Sequence, residues 1–218
     1  PYKNSLQQLG DRINRLGSVI THNDEQTWTG FPLRVHRRCI DPMFSISNNI
    51  AYNGQMVLPE DMKGAGSPTD TLFPTKWLHI EGKQIVNKHV VIEEVKALEE
   101  ILQQMILQPD FKSQDIYVIS PFRSVADYCR YRFSEVKYPN VKCGTVHTFQ
   151  GKEANTVFLV LGTGAGNGGA RSWASAKPNL LNVAVTRARK HLIVIGNKDL
   201  WRTKNYFNEL FSKTYRKE

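Results

Sequence analysis

The sequence is short of cysteine, of long apolar runs and of acidic residues, and each shortage narrows what it encodes. Its three cysteines, Cys39, Cys129 and Cys143, are odd in number and lack the close pairing of a zinc site or a disulfide framework. They read as reduced thiols of a cytoplasmic protein, with no metal site. No apolar run approaches a membrane span, and no charged, apolar, small-residue signal opens the chain. The first residue is Pro1, so a piece of something longer is expected. Asp and Glu number 20 against 29 Lys and Arg, a formal net charge of +9. That excess suggests a polyanionic partner, most simply nucleic acid. A phosphate loop of the form G-x-x-x-x-G-K-[ST] is also absent.

What is present suits one globular domain, since 218 residues can bury one good core. Pro1 to Trp28 is polar and poorly periodic, with a short helix expected around Ser5 to Leu16 and ended by Gly17, so residues 1–30 read as a lead-in segment and 31–218 as the domain. His36-Arg37-Arg38-Cys39 runs into Asp41-Pro42, where Asp as N-cap and Pro at the first helical position start a helix with Met43, Ile46, Ile50 and Ala51 on its apolar stripe. Asn53 to Pro74 reads as a loop, and Trp77 to Ile80 as a short strand. From Gln84 to Gln108, Val91, Val95, Leu98, Leu102 and Met105 recur at helical spacing, with Glu93, Glu94, Glu99 and Glu100 expected on the solvated face; Pro109-Asp110 stops this helix.

Ile116 to Ser120 is a buried strand, followed by Pro121-Phe122-Arg123-Ser124, with Ser124 expected to cap a helix through about Phe133. Val141 to Thr145 and Thr156 to Leu161 are further strands. Strands alternating with helices predict an α/β fold with a mostly parallel sheet covered on both faces. Ligands of such sheets bind beyond the strands' carboxyl ends, so the loops after Ile119 and Val146 are the places to look. Gly164, Gly166 and Gly169 satisfy G-x-G-x-x-G after a strand, but a dinucleotide site also needs a helix opening at the glycines and an acidic residue about 20 positions on. Neither is read here, and the segment is expected to be a mobile loop.

Asn179 to Asn197 pairs a helix with a β-branched strand, His191 to Ile195. At roughly 100° per residue, Leu181, Ala184, Val185 and Ala188 share one stripe while Arg187 points away from it. Arg187 is therefore expected to be free on a rigid element. A guanidinium so placed suits phosphate, because its planar donor fork matches phosphate oxygens and keeps its charge.

Three blocks in order, His36-Arg37-Arg38-Cys39 with Pro42, Gly144 to Glu153 (G-T-V-H-T-F-Q-G-K-E) and Asn182 to Arg189 (N-V-A-V-T-R-A-R), together with Ile119-Ser120-Pro121-Phe122, resemble the second RecA-like domain of superfamily 1 helicases. The likeness is to the branch that holds RNA-decay helicases and nuclease-helicases, and covers the chain from about Phe31. The resemblance implies a three-layer RecA-like fold of the P-loop NTPase type. It implies ATP and Mg2+ held mainly by a missing N-terminal RecA-like domain, and a single strand of DNA or RNA as partner. It implies that Arg187 and Arg38 reach the γ-phosphate as the catalytic arginines, and that Gly151, Lys152, Glu153 and Arg189 line the nucleotide, Glu153 on the ribose hydroxyls. Thr145, His147 and Thr148, with Ser120, Pro121 and Phe122, match positions touching the nucleic-acid backbone; Phe122 could stack on a base or pack in the core. The family usually has Tyr-Arg-Met-His-Pro where this chain has Arg37 and Arg38 ahead of Pro42, so either arginine can be the second finger, Arg38 being preferred. With no phosphate loop and no paired-acid magnesium motif, the isolated chain is expected not to hydrolyse ATP. Two competing readings are a non-enzymatic nucleic-acid-binding module of the same fold and a dinucleotide-binding oxidoreductase built on the glycine loop.

Overall fold

The computed structural model describes residues 6–13, 17–22, 25–30, 34–63, 74–109, 111 and 114–215. Ser5, Leu16 and Asp110 of the expected boundaries lie outside them, as do positions 64–73 of the expected loop. In chain order the elements are α1 (Leu6–Ile13), β1 (Ser18–His22), β2 (Glu25–Thr29), α2 (Met43–Ala51), β3 (Lys76–His79), α3 (Ile92–Ile106), β4 (Ile116–Ser120), α4 (Arg123–Arg132), β5 (Val141–Thr145), β6 (Ala154–Val160), α5 (Gly168–Ala174), α6 (Pro178–Val185), β7 (Ala188–Gly196), α7 (Lys198–Trp201) and α8 (Phe207–Thr214). A 3-10 turn, Val146–Phe149, links β5 to β6.

β3 to β7 form one five-stranded sheet in the order β3-β7-β6-β4-β5, every neighbouring pair parallel. The central strands carry the core: Val157 to Val160 and Leu192 to Ile195 are all at most 1% exposed. Runs this apolar suit a sheet covered on both faces. α3 packs on β6 and β7 and α4 on β4 and β5, while α6 and the 3-10 turn pack on β7 and β4, with α2 outside α6. This is the three-layer α/β arrangement of a RecA-like domain. No helix of the described residues is long and apolar enough to cross a membrane.

Several sequence expectations need correction. The supposed lead-in holds an antiparallel hairpin, β1 with β2, registered Ser18↔Thr29; its two short strands are rich in β-branched residues but carry no glycine turn to announce them. α2 begins at Met43 with Pro42 as the N-cap residue, and Asp41 bonds one turn further in, accepting from Ser45 N–H at 3.1 Å. α3 begins at Ile92, because Gln84 and Val91 pair in an antiparallel bridge that occupies the expected first two turns. Ser124 is not the cap of α4: Phe122 is, and Ser124 Oγ accepts from His89 N–H at 3.2 Å instead.

The largest departure is Glu94. It is 1% exposed and accepts Gly162 N–H at 2.7 Å, and burial pushes its carboxyl up to about 8 against the pull of that hydrogen bond. Gly162, just past the end of β6, is a node: its carbonyl also accepts from Trp201 Nε1 at 3.4 Å. Its φ is +61°, and an added Cβ would lie 2.5 Å from His89 O and 2.9 Å from Val125 Cγ2. Left-handed backbone and a clash with another main chain together make Gly162→Ala costly, roughly 2–4 kcal/mol. Urea unfolding midpoints at unchanged m measure that loss; an unchanged midpoint would mean the loop relaxes freely.

Candidate functional site

Each of the three sequence blocks is folded into a local device. In the first, His36 Nε2 accepts Cys39 N–H at 3.0 Å and lies 3.1 Å from Cys39 Sγ, closing a tight buried turn. Burial pushes the Cys39 thiol up to about 12, so this pair is a staple and not a nucleophile with its base. Burial and then the Arg38 charge lower the His36 pKa, as suits a ring that accepts hydrogen bonds. The staple sends its two arginines apart. Arg37 Nη1 meets Asp61 at 3.2 Å, both side chains 66% exposed, whereas Arg38 Nε meets Glu153 Oε1 at 2.9 Å. Arg38 is thus the arginine brought to the second block. Sequence reasoning missed the staple, although the H-x-x-C spacing was its signal.

In the second block, a Cβ on Gly144 would sit 2.9 Å from both Phe149 and Thr148, so only glycine admits the turn that follows. Thr148 Oγ1 accepts Thr145 N–H at 3.2 Å, with the two hydroxyls 3.1 Å apart. Phe149 is buried and stacks on Tyr117 of β4 at 4.3 Å. Gly151 then reverses the chain at φ +84°, and open space surrounds its missing Cβ. Its visible requirement is conformational, where the sequence suggested close approach to a nucleotide. Gly151, Lys152 and Glu153 are all exposed.

The third block departs most from expectation. α6 stops at Val185, Thr186 Oγ1 turns back to Asn182 O at 2.8 Å, and Ala188 already belongs to β7. Arg187 therefore sits in the turn between them, 3% exposed, and is not free. Its Nε donates to Val183 O at 2.9 Å, Nη1 to Lys152 O at 2.8 Å and Phe149 O at 3.4 Å, and Nη2 to Thr186 Oγ1 at 3.1 Å. The helix end leaves carbonyls without intrahelical partners, and the guanidinium fills them. Its pKa is lowered by burial first and by Arg38 second, with Glu153 opposing. These groups therefore lie within one another's field. Arg38 is bonded to the carboxylate, whereas buried Arg187 feels its charge and bonds only to neutral oxygens.

The sheet separates the expected contacts into two sets. Arg38, Glu153, Gly151, Lys152, Arg187 and Arg189 gather where β6 and β7 begin, with exposed Arg189 tied to the first block through Ile40 N–H on its carbonyl at 3.3 Å. Ser120, Pro121, Phe122, Thr145, His147 and Thr148 lie where β4 and β5 end. Looking only beyond the carboxyl ends would have missed the arginines, which occupy the opposite rim. Within the second set, His147 and Thr148 are exposed and Thr145 half-buried, but Ser120, Pro121 and Phe122 are buried. Ser120 Oγ is spent on Phe122 N–H at 3.2 Å, and the Phe122 ring packs 4.4 Å from His89.

The glycine segment is also corrected. A helix does open there, α5 at Gly168, and the segment is pinned. Gln84 Oε1 accepts from Gly164 N–H at 2.7 Å and from the Asn167 amide, and buried Arg171 donates to Gly164 O at 2.6 Å and Ala165 O at 3.1 Å. Its composition hid both facts, because a single arginine ties a stretch that lacks apolar periodicity. The acidic partner of a dinucleotide site is still missing, as no Asp or Glu occurs between Glu153 and Asp199. Elsewhere His79, Glu81 and Asp199 converge, with His79 Nδ1 accepting Lys198 N–H at 3.1 Å. Its Nε2 faces Glu81 at 3.5 Å and Asp199 at 3.9 Å, so the ring spans the backbone of α7 on one side and two carboxylates on the other.

The family described as an AAA domain matches residues 18–199. The chain belongs to this family. This AAA domain is of a kind found in superfamily 1 helicases. It is 28% identical over 235 residues to an uncharacterized ATP-dependent helicase of Methanocaldococcus jannaschii, covering 94% of this chain and 34% of the relative. It is 34% identical over 111 residues to the DNA-binding protein SMUBP-2 of Mesocricetus auratus, covering 51% of this chain and 10% of that protein. The AAA domain thus spans about a third of the first relative and a tenth of the second. A solved C-terminal domain of a possible DNA helicase from Lactobacillus plantarum aligns over 83% of this chain and 98% of its own at 12% identity and a TM-score of 0.43, too distant to add weight.

Proposed function

We propose that the chain, residues 31–218 above all, is the C-terminal motor half of an ATP-dependent superfamily 1 DNA or RNA helicase. The observation that carries this reading is the grouping of Arg38, Arg187 and Glu153 at one rim of the sheet. One carboxylate cannot neutralise two guanidiniums, and Lys152 and Arg189 add charge around them. Such a surplus on a rigid rim fits a polyphosphate. The only carboxylate of the group is already bonded to Arg38, so Mg2+ would be ligated chiefly from the N-terminal half. In this reading ATP sits between the two halves, and Arg187 and Arg38 stabilise charge developing on the transferred phosphoryl group. Glu153 accepts from the ribose hydroxyls. Thr145, His147 and Thr148 hold the strand by its backbone at the other rim, which positions without reading sequence. Cycles of closure and opening then ratchet the strand. Three free cysteines, two of them buried, suit a cytoplasmic setting.

The test is ATP hydrolysis by the full-length protein with and without single strands, beside the isolated chain. Stimulated hydrolysis by the first and none by the second is expected. A full-length protein that binds strands but never hydrolyses ATP would favour the non-enzymatic module.

A further inference from the structure

Phe122, the aromatic that the sequence offered for base stacking, is 5% exposed and closed in by His89 and by Trp173, whose ring centroid lies 6.1 Å away. Trp173 itself is 58% exposed. It is the one large apolar side chain left in water by the described segments Ser120 to Arg123, Gly144 to Phe149 and Gly162 to Lys177, which form the carboxyl-end rim. An isolated indole is a poor protein interface, which needs a contiguous apolar patch. It is a good partner for a flat base.

The short helix that carries the indole is also pinned. The preceding buried Arg171 clamps the loop carbonyls before α5, and Ser175 Oγ donates to Arg171 O at 2.9 Å to close the helix behind it. A platform ordered in advance loses little entropy on binding. The surrounding charge suits a polyanion. Arg123, beside Phe122, has a 90% exposed side chain, and Lys177 and His147 are exposed. Those three segments contain no Asp or Glu. Two carboxylates that adjoin them are already engaged: Asp127 is shared by Arg123 and Arg130, and Glu94 is buried beneath Gly162.

We propose that Trp173 is a base-stacking platform for single-stranded nucleic acid, set beside the threonine rim that holds the strand's backbone. The inference rests on the helicase-half reading and adds to it a contact made to bases. Stacking uses a face that every base has, so it grips without choosing sequence, as a translocating motor requires.

The experiment measures binding of the full-length protein to labelled oligothymidylate and oligouridylate of equal length, across a salt series, for wild type, Trp173→Ala and Trp173→Phe. The site is exposed, so thermal melts should coincide. Alanine should weaken binding about 5- to 100-fold, with phenylalanine restoring most of it. The slope of log affinity against log salt should not change, because no phosphate contact is lost. On an abasic strand alanine and wild type should bind alike. The preference between the two oligonucleotides tells DNA from RNA. Equal affinity of alanine and wild type on base-bearing strands overturns the proposal, as does an equal loss on the abasic strand. So does an alanine variant that keeps strand affinity but loses ATP turnover, which would place the indole against the other motor half. A wild type that binds neither oligonucleotide at any salt overturns the underlying reading as well.

Discussion

Replacing Arg187 with alanine in the full-length protein is expected to lower strand-stimulated ATP turnover by about 10³-fold or more, the scale at which arginines act on transferring phosphoryl groups. A second effect is expected from its position. The alanine variant withdraws the guanidinium from the carbonyls of Val183, Phe149 and Lys152; Phe149 O keeps Lys152 N–H and Val183 O keeps Thr186 Oγ1, so the loss of stability is roughly 1–3 kcal/mol, chiefly at Lys152 O. The two effects separate in measurement. A purely structural arginine would give a protein whose turnover per folded molecule is intact, and recovers on cooling. A phosphate-facing arginine gives a kcat that stays low in the fully folded protein, with nucleotide affinity changed far less. Arg187→Lys sharpens the comparison, because an ammonium keeps the charge but lacks the planar fork. It should regain part of the stability and little of the turnover. Wild-type turnover in a folded alanine variant would remove Arg187 from the chemistry.

Glu94→Gln should flatten the pH dependence of stability. The folded carboxyl holds its proton up to about pH 8, whereas the unfolded one releases it near the ordinary value of 4.5. Between those values unfolding releases a proton, so stability falls as pH rises, by roughly 1.4 kcal/mol per unit. Glu94's favourable contribution is complete below the unfolded value and gone above the folded one, a swing on the order of 5 kcal/mol. Glutamine can still accept Gly162 N–H and does not titrate. Urea melts from pH 5 to pH 9 should show the variant gaining on wild type as pH rises. Parallel curves would mean that water reaches the carboxylate and that its burial has no energetic consequence.

Glu94 also shows what the sequence could tell. It lies three positions after Val91 and four before Leu98, so the helical spacing that located α3 already put it on the buried stripe. Charge was allowed to outweigh spacing. The strands were legible because β4, β6 and β7 are nearly continuous apolar runs, and the parallel order followed from their alternation with helices. The three blocks named residues that the fold places near one another: Arg38 pairs with Glu153, and the charges of both act on Arg187. Their conformations were not legible. Whether Arg187 is free depends on carbonyls at Phe149 and Lys152, far away in sequence, and on α6 ending a turn early. Phe122, which could stack on a base or pack in the core, is covered for a similar reason: His89, far away in sequence, packs on its ring.

The segment from Thr145 to Glu153 is a short strut laid across the sheet. It leaves the carboxyl end of β5, crosses over Tyr117 and arrives at the amino end of β6. One foot is pinned by the paired hydroxyls of Thr145 and Thr148, and the other by Arg187 gripping the carbonyls of Phe149 and Lys152. A structure that short, with its middle stacked on the core, has little slack. If a phosphate draws the guanidinium away, the far foot keeps only its backbone bonds, and a shift there has one covalent route along which to travel, toward the threonines. Timing between the two rims would then be set by a single connecting rod, without any change in the sheet that carries it.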